Sequence, residues 1–434
     1  MSAPRPSLDL RAATLLVIAN MVGTGVFTTL GLQAAGVPDG AALLLLWLLG
    51  GVIALCGALS YAELAAALPR SGGEYAFLTR IYDPALGTIA GWVSITVGFA
   101  APVALAAMAF GRYAATILPV SPLLLALLAA LGSAALHGFD VGLGRRFQVL
   151  STVVKLAVIL LFCAAGLLAA PVPGALSPLP DASTAGMLLA PAFGLSLIYV
   201  SYAYAGWNAA TYVTAEVEAP QRRVPQALIV GTLVVTTLYL LLNWVFLRQV
   251  PLAELTGTVE VGAVAAASIF GVEGGRWMSG ALSLLLLSSI SALVLAGPRV
   301  IEEMAGDRPA MRFLSARNRR GAPARAVWLQ QGLAVALILT DSFSAVLAFA
   351  GFTLMLFSLL TVLGVLVLRR REAGLPRPFR VPLYPLPPLV YALLTLLGIG
   401  LVAWDRPWTV SGGLLLILLW WAWLRGRLRR APPA

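Results

Sequence analysis

Residues 18–27 read Ile-Ala-Asn-Met-Val-Gly-Thr-Gly-Val-Phe and lie in the middle of the first apolar run of the chain, residues 12–35. Two glycines flank Thr24, and a glycine costs about 1 kcal/mol relative to alanine inside a helix. The pattern therefore predicts that the helix is interrupted here. A half-helix that begins after the interruption presents free backbone amides, which attract anions such as a carboxylate. Packing of small residues against a neighbouring helix is the alternative interpretation.

A similar stretch occurs later in the chain. Residues 201–209 read Ser-Tyr-Ala-Tyr-Ala-Gly-Trp-Asn-Ala and place small and polar residues near the middle of another apolar run, residues 187–215. These runs are the first and the sixth, so each begins a set of five. Irregular backbone at membrane depth survives only where it lines a cavity. Interruptions at matching positions of two halves therefore indicate the binding site of a transporter.

The composition excludes a soluble protein. Of the 434 residues, 60% are hydrophobic and 11% are charged, whereas soluble domains carry about 25% charged residues. A membrane-spanning helix needs about 20 mostly apolar residues. Twelve spans are predicted, at residues 12–35, 40–67, 85–118, 121–138, 148–170, 187–215, 225–249, 277–302, 326–341, 344–369, 384–403 and 408–424. One long helix is the alternative to the ninth and tenth spans. The predicted fold class is an all-α integral membrane protein.

The basic residues predict the orientation of these spans. The net charge is +11, and all basic residues except one are arginines. If the N-terminus is cytoplasmic, 24 of the 28 arginines lie on the cytoplasmic side, which is the positive-inside pattern. We therefore expect a multi-pass protein of the cell (inner) membrane with both termini cytoplasmic and no nucleic-acid partner. The expected regions are an N-terminus (1–11), a first five-helix repeat (12–170), a second (187–369), a cytoplasmic linker (370–383), helices 11 and 12 (384–424) and a tail (425–434).

Lys155 is the single lysine and lies within the fifth span. A charge within a span is costly and marks a functional site by default. A compact ammonium group can also stand where a metal ion would stand. The alternative is a side chain that extends to the cytoplasmic interface, about two turns away. We expect a polar seam of Ser288, Ser289 and Ser291 to face Lys155, and Lys155 with Ser288 and Ser291 to form a coupling site. Ordinary packing of these serines is the alternative.

Other polar residues point to no enzyme chemistry. His137 and Glu63 lie at span ends and are predicted to be interface groups, and residues 70–83 are predicted to form a short amphipathic helix on the inner surface. Cys56 and Cys163 lie in apolar runs and are predicted to pack there. The sequence shows no catalytic triad, no metal-ligand spacing and no paired intramembrane carboxylates. We therefore expect no enzyme activity, no metal and no cofactor.

As a set, these motifs resemble the amino acid–polyamine–organocation (APC) superfamily of transporters, most closely its bacterial amino acid permeases and L-type amino acid transporters. The resemblance covers residues 10 to about 370. It rests on Met-Val-Gly-Thr-Gly-Val-Phe at 21–27, Tyr-Ala-Glu-Leu at 61–64, Pro-Arg-Ser-Gly-Gly-Glu-Tyr at 69–75, Lys155, Tyr-Ala-Gly-Trp-Asn at 204–208, Ala-Glu-Val-Glu-Ala-Pro-Gln-Arg-Arg-Val-Pro at 215–225 and Gly-Pro-Arg at 297–299.

The resemblance implies a LeuT-like five-plus-five inverted repeat, with two further C-terminal helices and with spans 1 and 6 discontinuous. By similarity, Gly23, Thr24 and Gly25 hold the carboxylate of a substrate. Backbone carbonyls around Met21 and Tyr202 hold its ammonium group.

The resemblance implies three further roles. Tyr202 acts as an aromatic gate, and Lys155 occupies the place of a sodium ion in sodium-independent members. Ala205 stands near the ammonium position, where a glycine is common in the family, which narrows the pocket or shifts its selectivity. The connection between spans 3 and 4 contains no cysteine, so a disulfide-linked heavy subunit is not expected.

The favoured function is sodium-independent transport of neutral L-amino acids by alternating access, as exchange or as proton-coupled symport. A zwitterion needs an anion site and a cation site, and the ends of two interrupted helices supply both. Spans 1, 3, 6, 8 and 10 carry no acidic residue at mid-depth, which disfavours the alternative of a polyamine or cationic amino acid. A channel or a membrane-embedded enzyme is the remaining alternative, although neither rings of charge nor intramembrane nucleophiles are present.

Overall fold

The computed structural model describes residues 8–139, 141–177, 179–180, 184–188 and 190–405, together with 411, 415, 417–423 and 425–426. About half of the predicted twelfth span, the first seven residues and most of the predicted tail lie outside the described residues.

The described part of the chain is helical, with two isolated β-bridges, Leu8 to Val217 and Ala175 to Pro251. Its first half contains α1 (Leu10–Met21), α2 (Gly25–Ala34), α3 (Gly40–Ala67), α4 (Glu74–Ile81), α5 (Pro84–Val93), α6 (Ala101–Ala115), α7 (Pro122–Phe139) and α8 (Val141–Leu168). Its second half contains α9 (Thr184–Met187), α10 (Pro191–Tyr204), α11 (Pro220–Gln249), α12 (Leu252–Leu255), α13 (Val261–Asp307), α14 (Ala324–Ile338), α15 (Phe343–Arg371) and α16 (Leu386–Asp405). A π-helical segment, Ser94–Ala100, joins α5 to α6, and Ala209–Glu216 and Pro309–Ser315 are 3-10 helices.

Aspartates define where three of the long helices begin. The Asp9 carboxylate accepts the Ala12 amide at 2.8 Å, and Asp39 accepts the Ala42 amide at 2.7 Å. Asp83 accepts two amides at the start of α5, where Pro84 occupies the first position. Each carboxylate satisfies donors that have no partner within the helix. An aspartate therefore marks the residue before which each of the helices α1, α3 and α5 cannot extend.

Eight helical segments of the described chain are long and apolar enough to cross a membrane. Two shorter apolar helices, Thr152–Leu168 and Ala324–Ile338, correspond to the predicted fifth and ninth spans. The sixth predicted span is divided because α10 ends at Tyr204. Large apolar side chains face outward, for example Leu161 at 72% exposure and Leu284 at 67%. Such an apolar exterior is stable only in contact with lipid, so the protein is a multi-pass membrane protein.

The structure changes two sequence-based predictions about the helices and agrees with a third, the division between the ninth and tenth spans. The segment around α4 is not a surface helix, because six of its eight residues are buried and its polar first residue, Glu74, is hydrogen bonded inside the protein. The eighth predicted span begins at Val261 rather than at 277, with a bend at Gly271, where φ is +78°. The ninth and tenth spans are separate helices, and the left-handed backbone of Asp341 lies between them.

Ion pairs and hydrogen bonds of arginines connect the ends of five helices, α3, α4, α5, α13 and α15, on one face of the molecule. Arg70 contacts Glu303 and Asp307 of α13, Arg80 of α4 contacts Glu372 beyond α15, and Arg308 contacts the Pro84 carbonyl at the start of α5. We call this side, which includes Arg70, Arg80, Arg308, Arg369 and Arg377, the arginine-rich face.

A buried ion pair on this face joins α3 to α15 and to the linker that follows. Glu63 is 2% exposed and accepts Arg369 at 2.7 and 2.5 Å, and its second oxygen also accepts the Val381 amide at 2.7 Å. Arg377 lies 3.4 Å from the same carboxylate. Glu63 therefore links α3 to α15 and to the following linker inside the protein, and it is not a free group at the cytoplasmic interface.

Replacing Glu63 by glutamine should destabilise the protein markedly. The change leaves two arginines without their carboxylate in a dry site, and breaking a buried pair costs about 3–5 kcal/mol. Thermal unfolding in detergent measures the loss. Glu372→Gln is the matched control, because its pair with Arg80 is more exposed and such pairs contribute about 0–1 kcal/mol. Equal melting temperatures for the two variants would contradict a stabilising role for the buried ion pair of Glu63.

Candidate functional site

The helical hydrogen bonding of the first span stops at Met21 and resumes at Gly25. The Val22 amide still reaches the Ile18 carbonyl at 2.8 Å, but the Gly23 amide turns back to the Met21 carbonyl at 2.8 Å. α2 then starts a new set of amides that lack partners within their own helix. The structure thus contains the interruption that the Gly-Thr-Gly motif predicts.

The two glycines of the motif have different steric roles. A Cβ on Gly25 would lie 2.4 Å from the Cα of Ala203, so the start of α2 touches the backbone of α10. A Cβ on Gly23 would meet no atom closer than the Met21 carbonyl oxygen, at 3.9 Å. Gly25 therefore permits the contact between the two interrupted spans, whereas Gly23 borders open space.

The second interruption lies directly against the first. α10 ends at Tyr204, the Ala205 amide turns back to the Tyr202 carbonyl at 2.9 Å, and Gly206 has a φ of +103°. A Cβ on Gly206 would lie 2.7 Å from the carbonyl carbon of Asn20. Both the positive φ and the close contact require glycine here.

Tyr239 of α11 connects the two interruptions. Its hydroxyl lies 2.5 Å from the Met21 carbonyl and 3.0 Å from the Ala203 carbonyl. Its ring packs against Trp47 and Tyr204, with centroids 5.5 and 4.9 Å away. Together with Gly23, Tyr239 gives the Met21 carbonyl two hydrogen-bond partners within the protein. This differs from the predicted use of that carbonyl for a substrate, because an oxygen with two lone pairs is then satisfied.

Tyr239→Phe should weaken this junction. The variant removes the single hydroxyl proton that lies near two buried carbonyls, which costs about 1–3 kcal/mol, and it should lower both the melting temperature and the rate of substrate uptake. Tyr113→Phe is the matched control, because its hydroxyl bonds one carbonyl, that of Phe27 within α2, at 3.1 Å. An effect of Tyr113→Phe as large as that of Tyr239→Phe would contradict a special role for Tyr239.

A cavity lies where the two interruptions meet. Its volume is about 80 Å³, counted as the space open to the centre of a water molecule. On the same measure one water needs roughly 10–15 Å³. No charged side chain of the described residues lines it. All six predicted binding residues border it, namely Met21, Gly23, Thr24, Gly25, Tyr202 and Ala205.

The remaining walls come from other helices. α3, α6, α13, α15 and α16 contribute apolar and hydroxyl-bearing groups, among them Ile53, Pro102, Ser289, Met355 and Tyr391. The predicted gate residue Tyr202 is buried in the wall beside Thr24. The structure therefore places a mostly apolar pocket with a few polar groups between the half-helices, which is the usual form of a small-molecule site.

Lys155 points into the protein rather than to the interface. It is 1% exposed, and its ammonium donates to the Val22 carbonyl and to the Ser289 hydroxyl, both at 2.7 Å. Val22 is the residue that follows α1, so the charge lies at the first interruption. The alternative of a side chain that extends to the interface is therefore wrong.

The predicted coupling serines need a correction. Ser289, not Ser288 or Ser291, contacts Lys155. Ser291 instead contacts His137 of α7 at 2.8 Å, which also shows that His137 is an interior residue and not an interface group. The reason is helical phase, since residues 289 and 291 point about 200° apart on α13. Ser288 is buried on a third direction of the same helix.

Sequence reasoning missed the polar cluster beside the cavity. Asn208 and Ser358 line the cavity and both donate to the carboxylate of Glu74, which lies behind them. Phe99 and Tyr212 close the same region, with ring centroids 5.1 Å apart. Asn208 and Glu74 stand in quoted motifs, but the sequence does not show that the two motifs meet.

Comparison with known proteins identifies the family of the chain. The model of the amino acid permease family matches residues 8–423. The serine/threonine exchanger SteT of Bacillus subtilis is 27% identical over 394 residues, which cover 89% of this chain and 88% of that protein. The human cystine/glutamate transporter is 26% identical over 411 residues, 93% of this chain and 81% of that protein. The human large neutral amino acids transporter small subunit 2 is 27% identical over 438 residues, 96% of this chain and 79% of that protein. The chain belongs to the amino acid permease family of the APC superfamily, whose members are transporters and not enzymes.

Proposed function

We propose that this protein transports neutral L-amino acids across the membrane by alternating access, without sodium, and that the substrate binds in the cavity between the two interrupted spans. The observation that carries the proposal is the cavity itself, which lies between two half-helix junctions and, among the described residues, is lined without charged side chains. Such a site matches a molecule that is charged at its backbone end and neutral in its side chain.

The half-helix ends supply complementary charges for a zwitterion. The amides at the start of α2, around Thr24 and Gly25, carry the positive end of the helix dipole and bind the carboxylate. The carbonyls at the end of α10 bind the ammonium group. The Tyr202 carbonyl accepts the Ala205 amide, and its second lone pair suits a substrate donor. Tyr202 also acts as the gate, and Ala205 limits the space next to it.

Lys155 accounts for the proposed independence from sodium. Its ammonium lies on the Val22 carbonyl at 2.7 Å, so a positive charge already compensates the carbonyl end of α1. A sodium ion at the same place would meet a like charge and lose its oxygen ligands. Lys155 and Ser289 therefore form the coupling pair of the proposal.

The relatives support amino acids as the substrate class. They include a serine/threonine exchanger, an Asc-type amino acid transporter and a large neutral amino acids transporter subunit. Because one of them is an exchanger by name, we propose exchange as the first mode to test, with proton-coupled symport as its alternative. Cys56 lies within α3 and Cys163 within α8, away from the connection between the third and fourth spans, and we propose that the protein acts without a disulfide-linked heavy subunit.

The proposed topology has twelve spans in two inverted five-helix repeats (12–170 and 187–369), a linker at 370–383 and two further helices at 384–424. We propose both termini on the cytoplasmic side of the cell (inner) membrane, with lipid around the outer surface. The arginine-rich face supports this orientation, since Lys and Arg accumulate on the cytoplasmic side of membrane proteins. Labelling cysteines introduced on this face with impermeant reagents tests the orientation.

Uptake into proteoliposomes tests the function. Radiolabelled L-alanine, L-serine and L-leucine are presented with sodium or with potassium outside, and the liposomes are loaded with unlabelled amino acid or left empty. We expect saturable, stereoselective uptake that does not require sodium and that internal amino acid accelerates. Uptake that depends on sodium, or that does not saturate, as in a channel, would contradict the proposal.

A polyamine or cationic amino acid is the second candidate. One observation favours it, because the carboxyl group of Glu74 lies directly behind Asn208 and Ser358. A ligand of the native state raises its melting temperature by mass action. Stabilisation by putrescine or L-arginine, with none by L-alanine or L-leucine, would replace the neutral substrate by a cationic one.

A further inference from the structure

Glu74 is a buried carboxyl group on which three elements converge. It is the first residue of α4 and is 1% exposed. Its Oε1 atom accepts the Tyr61 hydroxyl of α3 at 2.6 Å, the Ser358 hydroxyl of α15 at 3.0 Å and the Asn208 amide at 3.4 Å. Asn208 belongs to the segment between α10 and the 3-10 helix that follows. One oxygen atom therefore ties together three parts of the protein that border the cavity.

The other oxygen of Glu74 has a different environment. The Oε2 atom is buried and has no hydrogen-bond partner among the described residues. The titratable groups that face Glu74 from the packed elements are the phenols of Tyr61, Tyr212 and Tyr391. None of the ion pairs of the described chain includes Glu74. Glu74 is thus a carboxyl group that is held by donors and lacks a cationic partner among the described residues.

Two opposing effects set the protonation of Glu74, which lies in the connection between two spanning segments. Burial raises its pKa above the ordinary value because the carboxylate loses water. The hydroxyls of Tyr61, Ser358 and Ser94 act in the other direction and lower the pKa, because they stabilise the ionised form. Burial is the larger effect, so the proton is held more tightly here than in water. This balance depends on the position of groups that also form the wall of the cavity.

The location of Glu74 gives this balance a consequence for transport. Asn208 and Ser358 line the cavity, and Arg70 of the arginine-rich face is four residues before Glu74 in the chain. Glu74 therefore lies between the cavity and that face. We call Glu74, Tyr61, Asn208 and Ser358 the cavity floor. Since the three donors come from different elements, an opening of the cavity toward this face separates donors from Glu74 and lets water reach it.

We propose that Glu74 is a proton-binding site that couples its protonation to the opening of the cavity floor. In the closed floor, burial makes Glu74 bind a proton more tightly than it would in water. When the floor opens, water solvates the carboxylate, the O–H bond of Glu74 breaks, and the proton passes to water at the arginine-rich face. This inference rests on the proposed function and names a group that controls release from the same cavity.

The direction of the pH effect follows from linkage. The state in which a group has the higher pKa binds more protons, so low pH favours that state. Acidification at the arginine-rich face should therefore favour the closed floor and slow release, whereas a rise in pH should speed it. The effect reaches about ten-fold per pH unit between the pKa of Glu74 in the open state and its higher pKa in the closed state, and it vanishes outside that range.

Infrared spectroscopy tests the protonation without any amino acid. The purified full chain in lipid is titrated with base while the carboxylic-acid carbonyl band is recorded. We expect a band that disappears at a pH above about 4.3, the ordinary pKa of glutamate, and that is absent in Glu74→Gln. Glu302→Gln is the control and should retain the band, because Glu302 pairs with Arg317 away from the cavity. An unchanged band in Glu74→Gln would contradict the proposal.

Exchange in proteoliposomes tests the coupling. Release of preloaded L-leucine into buffers of different pH is measured for the wild type and both variants. Wild type and Glu302→Gln should slow together on acidification, whereas Glu74→Gln should be slow at every pH, since glutamine imitates the protonated form. A Glu74→Gln profile equal to that of the wild type would overturn the coupling. Absence of exchange in the wild type would refute the proposed function instead, and the infrared result would still decide the protonation.

Discussion

Gly25→Ala is expected to abolish transport and to lower the thermal stability of the protein. The new methyl group would lie 2.4 Å from the Cα of Ala203 and 2.5 Å from its Cβ. A backbone atom cannot rotate away as a side chain can, so α2 and α10 must move apart. Overpacking of this kind costs about 1–3 kcal/mol, and it displaces the amides that the proposal assigns to the carboxylate. We expect uptake below about one-tenth of wild type, since about 1.4 kcal/mol corresponds to a factor of ten.

Gly23→Ala is the matched control for this prediction. A Cβ there meets no atom within 3.9 Å, so the melting temperature should stay close to that of the wild type. Any loss of uptake would then come from a methyl group that enters the cavity. Thermal unfolding and initial uptake rates are compared for both variants. Equal destabilisation by the two changes would show that the contact between α2 and α10 does not depend on Gly25.

Lys155→Met is expected to reduce uptake by about ten-fold or more while the helical content is unchanged. Methionine keeps much of the side-chain volume but removes two charge-assisted hydrogen bonds of 2.7 Å, to Val22 and Ser289. Such bonds contribute about 1.5–3 kcal/mol each. Their loss leaves the carbonyl end of α1 without its positive charge at the point where the chain must change direction.

Ser289→Ala distinguishes the effect of the Lys155 charge from the effect of its hydrogen bond to Ser289. This variant removes one partner of Lys155 but leaves the ammonium on the Val22 carbonyl, so its effect should be several-fold smaller. Uptake assays and circular dichroism in detergent provide the comparison. Full uptake by Lys155→Met would mean that the lysine only fills space in the first interruption.

The interruptions were predictable because their signals are local. Two glycines around Thr24, and Gly206 after two tyrosines, are poor helix formers, and a local cost of this kind is visible without knowledge of the neighbours. The role of each glycine was not predictable in the same way. The sequence treats Gly23 and Gly25 alike, but only the second contacts α10, because that difference depends on how two distant segments pack.

The contacts of Lys155 show the same limit. The sequence marks Lys155 because this residue lies within an apolar run. It also predicts that a serine-rich segment, which belongs to α13, is its neighbour. Which serine contacts it depends on the rotation of α13 about its own axis, and α13 packs chiefly against α6 and α8. A rotation of one residue changes the direction of a side chain by about 100°, which is enough to exchange Ser289 for Ser288.

The polar segment before the third span was misjudged for a physical reason. Its charged and hydroxyl-bearing residues suggested contact with water, because polar groups are costly to bury without partners. In the structure the partners come from α3, α15 and the segment after α10, which are far apart in the chain. The sequence alone therefore suggested that Glu74 is a surface group, because its hydrogen-bond donors are adjacent only in the folded protein.

A structure of the protein with a bound neutral amino acid, such as L-leucine in a lipid nanodisc, shows whether the cavity is the substrate site. We expect ligand density in the cavity between the two interruptions, with the carboxylate at the amides of Thr24 and Gly25 and the ammonium group at the carbonyl end of α10. Ligand density elsewhere, or a first and a sixth span that run as continuous helices in the bound state, would contradict it.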